Sequence, residues 1–200
     1  RDRSVSRGLG DVYKRQVGII KEIIEKSPFR IESDCPVSDK CGGCTFRSMT
    51  YEKELQSKLD FVNGNMERIA KLPIRCEEII GASDILRYRN KAQYPVCIQG
   101  NGFCAGFYAY KSHRIVPAAD CLLQPAEFKA GVEAFEKWAL AANVSSFDEK
   151  SGRGLLRHIY FRKAFATGEI MACAVINGSS VPEPQMLVSF LQSALPGLKS

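Results

Sequence analysis

Three cysteines fall within ten residues, in the run Cys35-Pro-Val-Ser-Asp-Lys-Cys41-Gly-Gly-Cys44, and this C-x5-C-x2-C spacing constrains the chain more than any other feature. Thiols crowded into a short loop either cross-link in an oxidising compartment or hold a soft metal. A disulfide scaffold is usually short and poor in core, whereas here eight cysteines are spread over 200 residues, 45% of them hydrophobic. A reducing cytoplasm and a metal site are therefore expected. Gly42 and Gly43 leave the backbone free to close on the sulfurs and to aim its N–H groups at them. A structural zinc site would show a second Cys knuckle or a His pair. Only His113 and His158 are present, far apart, and an x5 gap is too long for a knuckle. The C-x3-C-x2-C spacing of an open-iron radical site is absent. A fourth thiolate from elsewhere would close the set, and Cys121, flanked by Asp120 and Gln124 in a polar turn, is the best-placed candidate. Spacing alone favours an iron–sulfur cluster over zinc without excluding zinc. Cys76, Cys97, Cys104 and Cys173 stand singly in apolar, strand-like stretches and read as small buried hydrophobes.

The net charge of +6 needs dividing before it is interpreted. Residues 1–16 hold five of the 28 basic and two of the 22 acidic residues, so residues 17–200 carry only +3. This leader has no helical or strand periodicity, and its Asp-Val-Tyr-Lys-Arg-Gln end resembles a translated library-preparation transposon end. It is read as a non-native, disordered leader and set aside from the fold. In the remainder the basic residues are clustered. Between Asp84 and Asp120 there is no carboxylate, while Arg87, Arg89, Lys91, Lys111, His113 and Arg114 alternate with tyrosines and phenylalanines. Between Glu149 and Glu169 the pattern recurs with Lys150, Arg153, Arg157, His158, Arg162 and Lys163. Such windows suit single-stranded RNA, held by phosphate contacts and stacking; an ordinary solvated face over inward-pointing aromatics has equal weight. The RNA candidates are Arg89, Lys91, Lys111, Arg114 and Arg157. In a regular strand Arg157 and His158 would lie on opposite faces. No apolar run is long enough to span a bilayer, and no secretion signal is visible, so a cytoplasmic protein with no membrane partner is expected.

Val17 to Ile24 and Phe29 to Glu32 read as short strands before the Cys loop. Thr50 suits an N-cap for a helix from Tyr51 to about Lys71, whose stripe of Tyr51, Leu55, Leu59, Val62, Met66 and Ile69 is expected to be core. Tyr88 to Ile98 and Phe103 to Tyr110 form a hairpin about Gly100-Asn101-Gly102, with Pro95 marking an edge or bulge. Ala126 to Ala142 is a second helix with Phe128, Val132, Phe135 and Trp138 or Ala139 inward. Leu155 to Lys163 and Ile170 to Asn177 form another hairpin, and Pro184 opens a third helix to Ala194. The expected class is α+β: an antiparallel sheet of hairpins with two to three packed helices and a cysteine-ligated loop.

Taken together, SPFRIESDCPVSDKCGGC, LRYRNKAQYPV, GFYAYKSHRIVPAADCLLQP and DEKSGRGLLRHIYFRKAFATGEIMACAVIN resemble the 23S rRNA (uracil-5-)-methyltransferase family, iron–sulfur proteins that methylate RNA uridine at C5 with S-adenosylmethionine. The resemblance covers most of residues 17–200. It implies that Cys35, Cys41, Cys44 and Cys121 ligate a [4Fe-4S] cluster. It also implies that residues 17–34 are the end of an OB-like TRAM barrel and that residues 35–200 are the central iron–sulfur and RNA-binding domain of a monomer. The family's catalytic domain would follow Ser200 and bind S-adenosylmethionine. There a Cys adds to C6 of a flipped uracil and a carboxylate removes the C5 proton. Nothing here matches that nucleophile, and Gly152-Arg153-Gly154 precedes a strand instead of opening a helix, so it is no cofactor loop. The expectation is a catalytically inactive piece of a methyltransferase whose substrate is 23S rRNA, the cysteine set favouring rRNA over tRNA. The competing expectation is a stand-alone zinc- or cluster-stabilised RNA-binding module.

Overall fold

The computed structural model describes residues 22–99 and 102–200. The leader (1–16), most of the first expected strand and two residues of the first turn lie outside the described residues. Residues 22–24 carry no strand, and the Phe29 to Glu32 stretch reduces to a bridge between Arg30 and Met49.

The elements run α1 (Tyr51–Arg68), β1 (Lys91–Gln99), β2 (Gly102–Tyr108), β3 (Ile115–Pro117), α2 (Glu127–Ala141), β4 (Leu156–Lys163), β5 (Ile170–Ile176) and α3 (Pro184–Ala194). The strands form one antiparallel sheet in the order β3-β2-β1-β4-β5. This is the α+β class expected from paired strands between helices. Alternation builds its core: Ala92, Tyr94 and Val96 of β1, Ala105 of β2 and Ile159 and Phe161 of β4 face one side. There they meet Phe128, Val132, Phe135, Trp138 and Ala139 of α2 and Leu187 and Leu191 of α3. Phe161 stacks on Phe128 and meets Phe135 edge-on, with ring centroids 5.2 and 5.7 Å apart. The Trp138 indole N–H donates to Pro182 O at 2.8 Å, tying α2 to the start of α3.

Pro95 marks neither an edge nor a bulge: β1 is the middle strand of five. Residues 91–95 pair with β4, and the ladder to β2 begins at Val96. The imino residue therefore sits where one partner hands over to the other, and its missing N–H interrupts neither ladder. The bulge lies instead on β4, where the register shifts between Leu156 and His158. Leu156 and Ile159 are both buried, so the extra residue brings Arg157 and His158 together on the outer face, against the regular-strand expectation.

Helix α1 also departs from its expectation. Thr50 does cap it, its hydroxyl accepting from Lys53 N at 3.4 Å. Its stripe, however, is not core: the helix's buried residue is Asn63, whose amide holds the backbone of Cys76 by two hydrogen bonds, while Val62 and Ile69 are exposed. Among the described residues no helix is long and apolar enough to cross a membrane.

Candidate functional site

Two segments remote in sequence meet beside β2. Residues 35–41 fold as consecutive turns, Ser38 N donating to Cys35 O at 3.2 Å and Cys41 N to Val37 O at 2.8 Å. Cys41 then bridges to Ala109, and Gly42 N donates to Tyr108 O at 3.0 Å. This corrects the role read for the first glycine. Its N–H is spent on the strand end, and a Cβ there would lie 2.9 Å from Tyr110 Cα. Gly43 does lie against sulfur, its notional Cβ 3.4 Å from Cys41 Sγ. The second segment is the turn around Cys121, closed by Gln124 N donating to Cys121 O at 2.9 Å.

Arg87 holds that turn. Its Nη1 donates to Cys121 O at 3.0 Å and to Gln124 O at 3.1 Å and pairs with Asp120 at 2.9 Å. The backbone N–H groups of Arg87 and Arg89 donate to Leu122 O and Leu123 O. On the other side Arg47 pairs with Asp34, the residue before Cys35.

Cys35, Cys41, Cys44 and Cys121 line one cavity of about 430 Å³, with Arg47 and Arg89 on its wall and Phe103, Phe107 and Leu123 among its apolar residues. Cys44, Arg47 and Arg89 also line a neighbouring groove of about 660 Å³ bounded by α1 and residues 82–89. Burial, then the charges of Cys121 and Cys41, pushes the Cys44 thiol up, while Arg89 and Arg47 oppose this. Cys121 is pushed up by burial and by Cys35, against backbone N–H groups of Leu123 and Gln124 and the charge of Arg89. Deprotonating Cys44 and Cys121 beside the other two thiols therefore calls for a positive counter-charge among them. Beside Cys121, the buried Tyr94 hydroxyl and Gln124 Oε1 have no hydrogen-bond partner. Among the described residues no three His, Cys, Asp or Glu side chains gather tightly enough to hold a single metal ion.

The other four cysteines do not share one setting. Cys97 and Cys104 are half-buried cross-strand partners, Cys76 lies in a loop, and Cys173 is exposed on β5, so the buried-strand reading fails for the last two.

The basic candidates separate into three places. Lys91 and Arg162 are cross-strand partners, both exposed on the sheet face opposite the helices, and Tyr160, half-buried, continues that face. Arg157 shares the face through the bulge. Lys111 and Arg114 lie in the β2–β3 turn, with Lys111 Nζ over the Tyr110 ring at 5.2 Å. Arg89 precedes β1 and belongs to the cysteine cavity instead of sharing a strand face with Lys91. Sequence reasoning missed the task of Arg87, which acts through loop backbone, and that of Arg47, which pairs with Asp34; neither leaves a periodic trace.

The chain is homologous to RNA methyltransferases. It is 38% identical over 193 residues to an uncharacterized RNA methyltransferase of Caldanaerobacter subterraneus, covering 96% of this chain and 43% of that protein. To an uncharacterized RNA methyltransferase of Halalkalibacterium halodurans it is 36% identical over 184 residues, 92% of this chain and 40% of the other. The chain thus spans about two-fifths of the length of these relatives. No family model matches it. Its fold resembles part of the Pyrococcus abyssi tRNA (uracil-54, C5)-methyltransferase, solved in complex with S-adenosyl-L-homocysteine. The TM-score is 0.61 at 22% identity, covering 83% of this chain and 37% of that one.

Proposed function

We propose that the chain is the iron–sulfur and RNA-positioning part of an S-adenosylmethionine-dependent methyltransferase that acts on C5 of uridine in 23S rRNA. One observation carries the reading: four thiols from two separate segments, and no other cysteine but Cys104, line a single cavity. The donor set fits a soft, multi-iron group, because each thiolate of a [4Fe-4S] cluster takes its own iron and the sulfurs stand wider apart than around one ion. Cys35, Cys41, Cys44 and Cys121 would hold it. When bound, such a cluster supplies a tie between the two segments and leaves no iron position open for chemistry. The named relatives support the methyltransferase reading, and the Pyrococcus fold supports uracil C5 as the target class. S-adenosylmethionine belongs to the part of the parent that this chain does not span, as does the catalytic nucleophile. Residues 17–34 are read as the end of a TRAM barrel. The outer face of Lys91, Arg157, Tyr160 and Arg162, continued by Lys111 and Arg114, would grip the RNA, with Arg89 between that grip and the cluster.

Two measurements test this. Anaerobically purified chain should hold about four irons with acid-labile sulfide and a broad visible absorption; one zinc and no sulfide overturns the cluster. The parent protein incubated with S-adenosylmethionine should place 5-methyluridine in a 23S rRNA transcript and not in tRNA. Methylation of tRNA alone would transfer the substrate to the class named for the Pyrococcus protein.

A further inference from the structure

The two acid-free windows meet at one carboxylate. Glu149 bounds the second window in sequence, and in the structure it takes a basic side chain from each: His113 Nδ1 at 3.3 Å and Arg157 Nη2 at 3.4 Å. Neither contact is short for a charged pair, and the side chains of Glu149 and His113 are 44% and 80% exposed. The pair is therefore weakly held and open to exchange. Arg157 is better organised than its partner. Its guanidinium lies 4.4 Å from the Phe147 ring centroid, and its Nε is buried with no acceptor. Tyr108 lies beside His113, ring centroids 5.5 Å apart, and its phenol is pushed up by burial and then by the charge of Glu149, with Arg157 opposing. A guanidinium and an imidazole thus converge on one pair of carboxylate oxygens, with the Tyr108 ring packed beside the imidazole.

We propose that Arg157 and His113, flanked by the Tyr108 ring, form a binding site for an RNA backbone phosphate, in which Glu149 is a displaceable stand-in for that phosphate. The proposal rests on the RNA reading given above and adds the site. A phosphodiester offers two anionic oxygens in the place of the two carboxylate oxygens and can be held by the Arg157 guanidinium, whose side chain is 40% exposed and meets Glu149 through Nη2. A base next to that phosphate meets the Phe147 and Tyr108 rings. The carboxylate also filters ligands. A lone phosphate must displace Glu149 with only its own charge, whereas a polyanion brings counterion release along its length.

Binding of a labelled, uridine-rich single-stranded RNA to this chain, followed by fluorescence anisotropy over a range of salt, tests the site. Glu149→Gln should bind about five-fold more tightly at low salt, and the slope of log K against log salt should steepen by about 0.7, as for one further phosphate contact on a single strand. Arg157→Gln should weaken binding, and in the double variant the gain should vanish. Inorganic phosphate should compete against Glu149→Gln and not against the unmodified chain. Equal melting temperatures keep the comparison to folded protein. If Glu149→Gln binds RNA no better than the unmodified chain, the stand-in is overturned while the RNA reading survives. If the unmodified chain binds no RNA at low salt, the RNA reading itself falls.

Discussion

Gly42 shows how much can rest on one missing side chain. Its backbone lies against Tyr108 and Tyr110, and a Cβ would meet backbone 2.9–3.1 Å away, which cannot move aside as a flexible side chain would. Gly42→Ala should therefore lift the cysteine loop off the strand end, costing about 1–2 kcal/mol and lowering iron retained after purification. Gly43→Ala meets only Cys41 Sγ at 3.4 Å and should leave the melting temperature closer to that of the unmodified chain. Equal iron loss in both variants would show that both glycines serve the sulfurs. His158 offers a residue-scale test in pH. Burial first, and the charge of Arg157 second, hold its imidazole below the ordinary value, with Glu149 opposing. The fold thus prefers the neutral ring. Its contribution is complete above about pH 6.5 and is lost as pH falls through the depressed value. Between about pH 7 and pH 5 the unmodified chain should lose more melting temperature than His158→Gln; parallel curves would place the acid sensitivity elsewhere.

Elements differ in how their sequence patterns were spent. The stripe of α2 and that of α1 look alike on paper, and apolar periodicity cannot say whether a partner exists to receive them. Phe128, Val132, Phe135 and Trp138 find the sheet, whereas Val62 and Ile69 of the α1 stripe are 43% and 76% exposed, and Phe61 beside them 71%. Phe61→Ala should change stability by less than about 0.5 kcal/mol, while Phe161→Ala, packed among three other aromatic rings, should cost about 3–5 kcal/mol; chemical denaturation separates the two. Hairpins and helix limits were legible because alternation, turn residues and caps act locally. Pro95 was misread because a proline inside a strand pattern ordinarily signals an edge, and only the sheet order reveals a hand-over between partners. The β4 bulge was illegible for a related reason: one extra residue in LLRHIYF breaks no composition rule, yet it sets which face Arg157 occupies.

At the scale of the whole molecule, the sheet core and the cysteine site are separate constructions joined along a seam. No cysteine belongs to the buried core of β1, β2, β4, α2 and α3. The thiols sit on loops fixed by Gly42 to β2 and by Arg87 to the Cys121 turn, so the spacing of Cys35, Cys41 and Cys44 was readable locally. Cys121 was a candidate from the polar residues Asp120 and Gln124 beside it, and the resemblance named it a ligand, but its arrival at the loop leaves no periodic sign in the sequence. This separation predicts what stripping the proposed cluster with a chelator under mild oxidation should do. Far-UV circular dichroism and amide protection in β1, β4 and α2 should persist, because the aromatic centre of the core, Phe128, Phe135, Trp138 and Phe161, lies outside the lining of the cysteine cavity. Protection should fall at Cys41 and Gly42 and at the amides of Arg87 and Arg89, whose hydrogen bonds hold the two segments in place. Cys121→Ser should reproduce that pattern without the chelator, because it removes the link on the side where Arg87 alone remains. Global melting of the sheet on either treatment would mean that the four thiols organise the fold as well as the site.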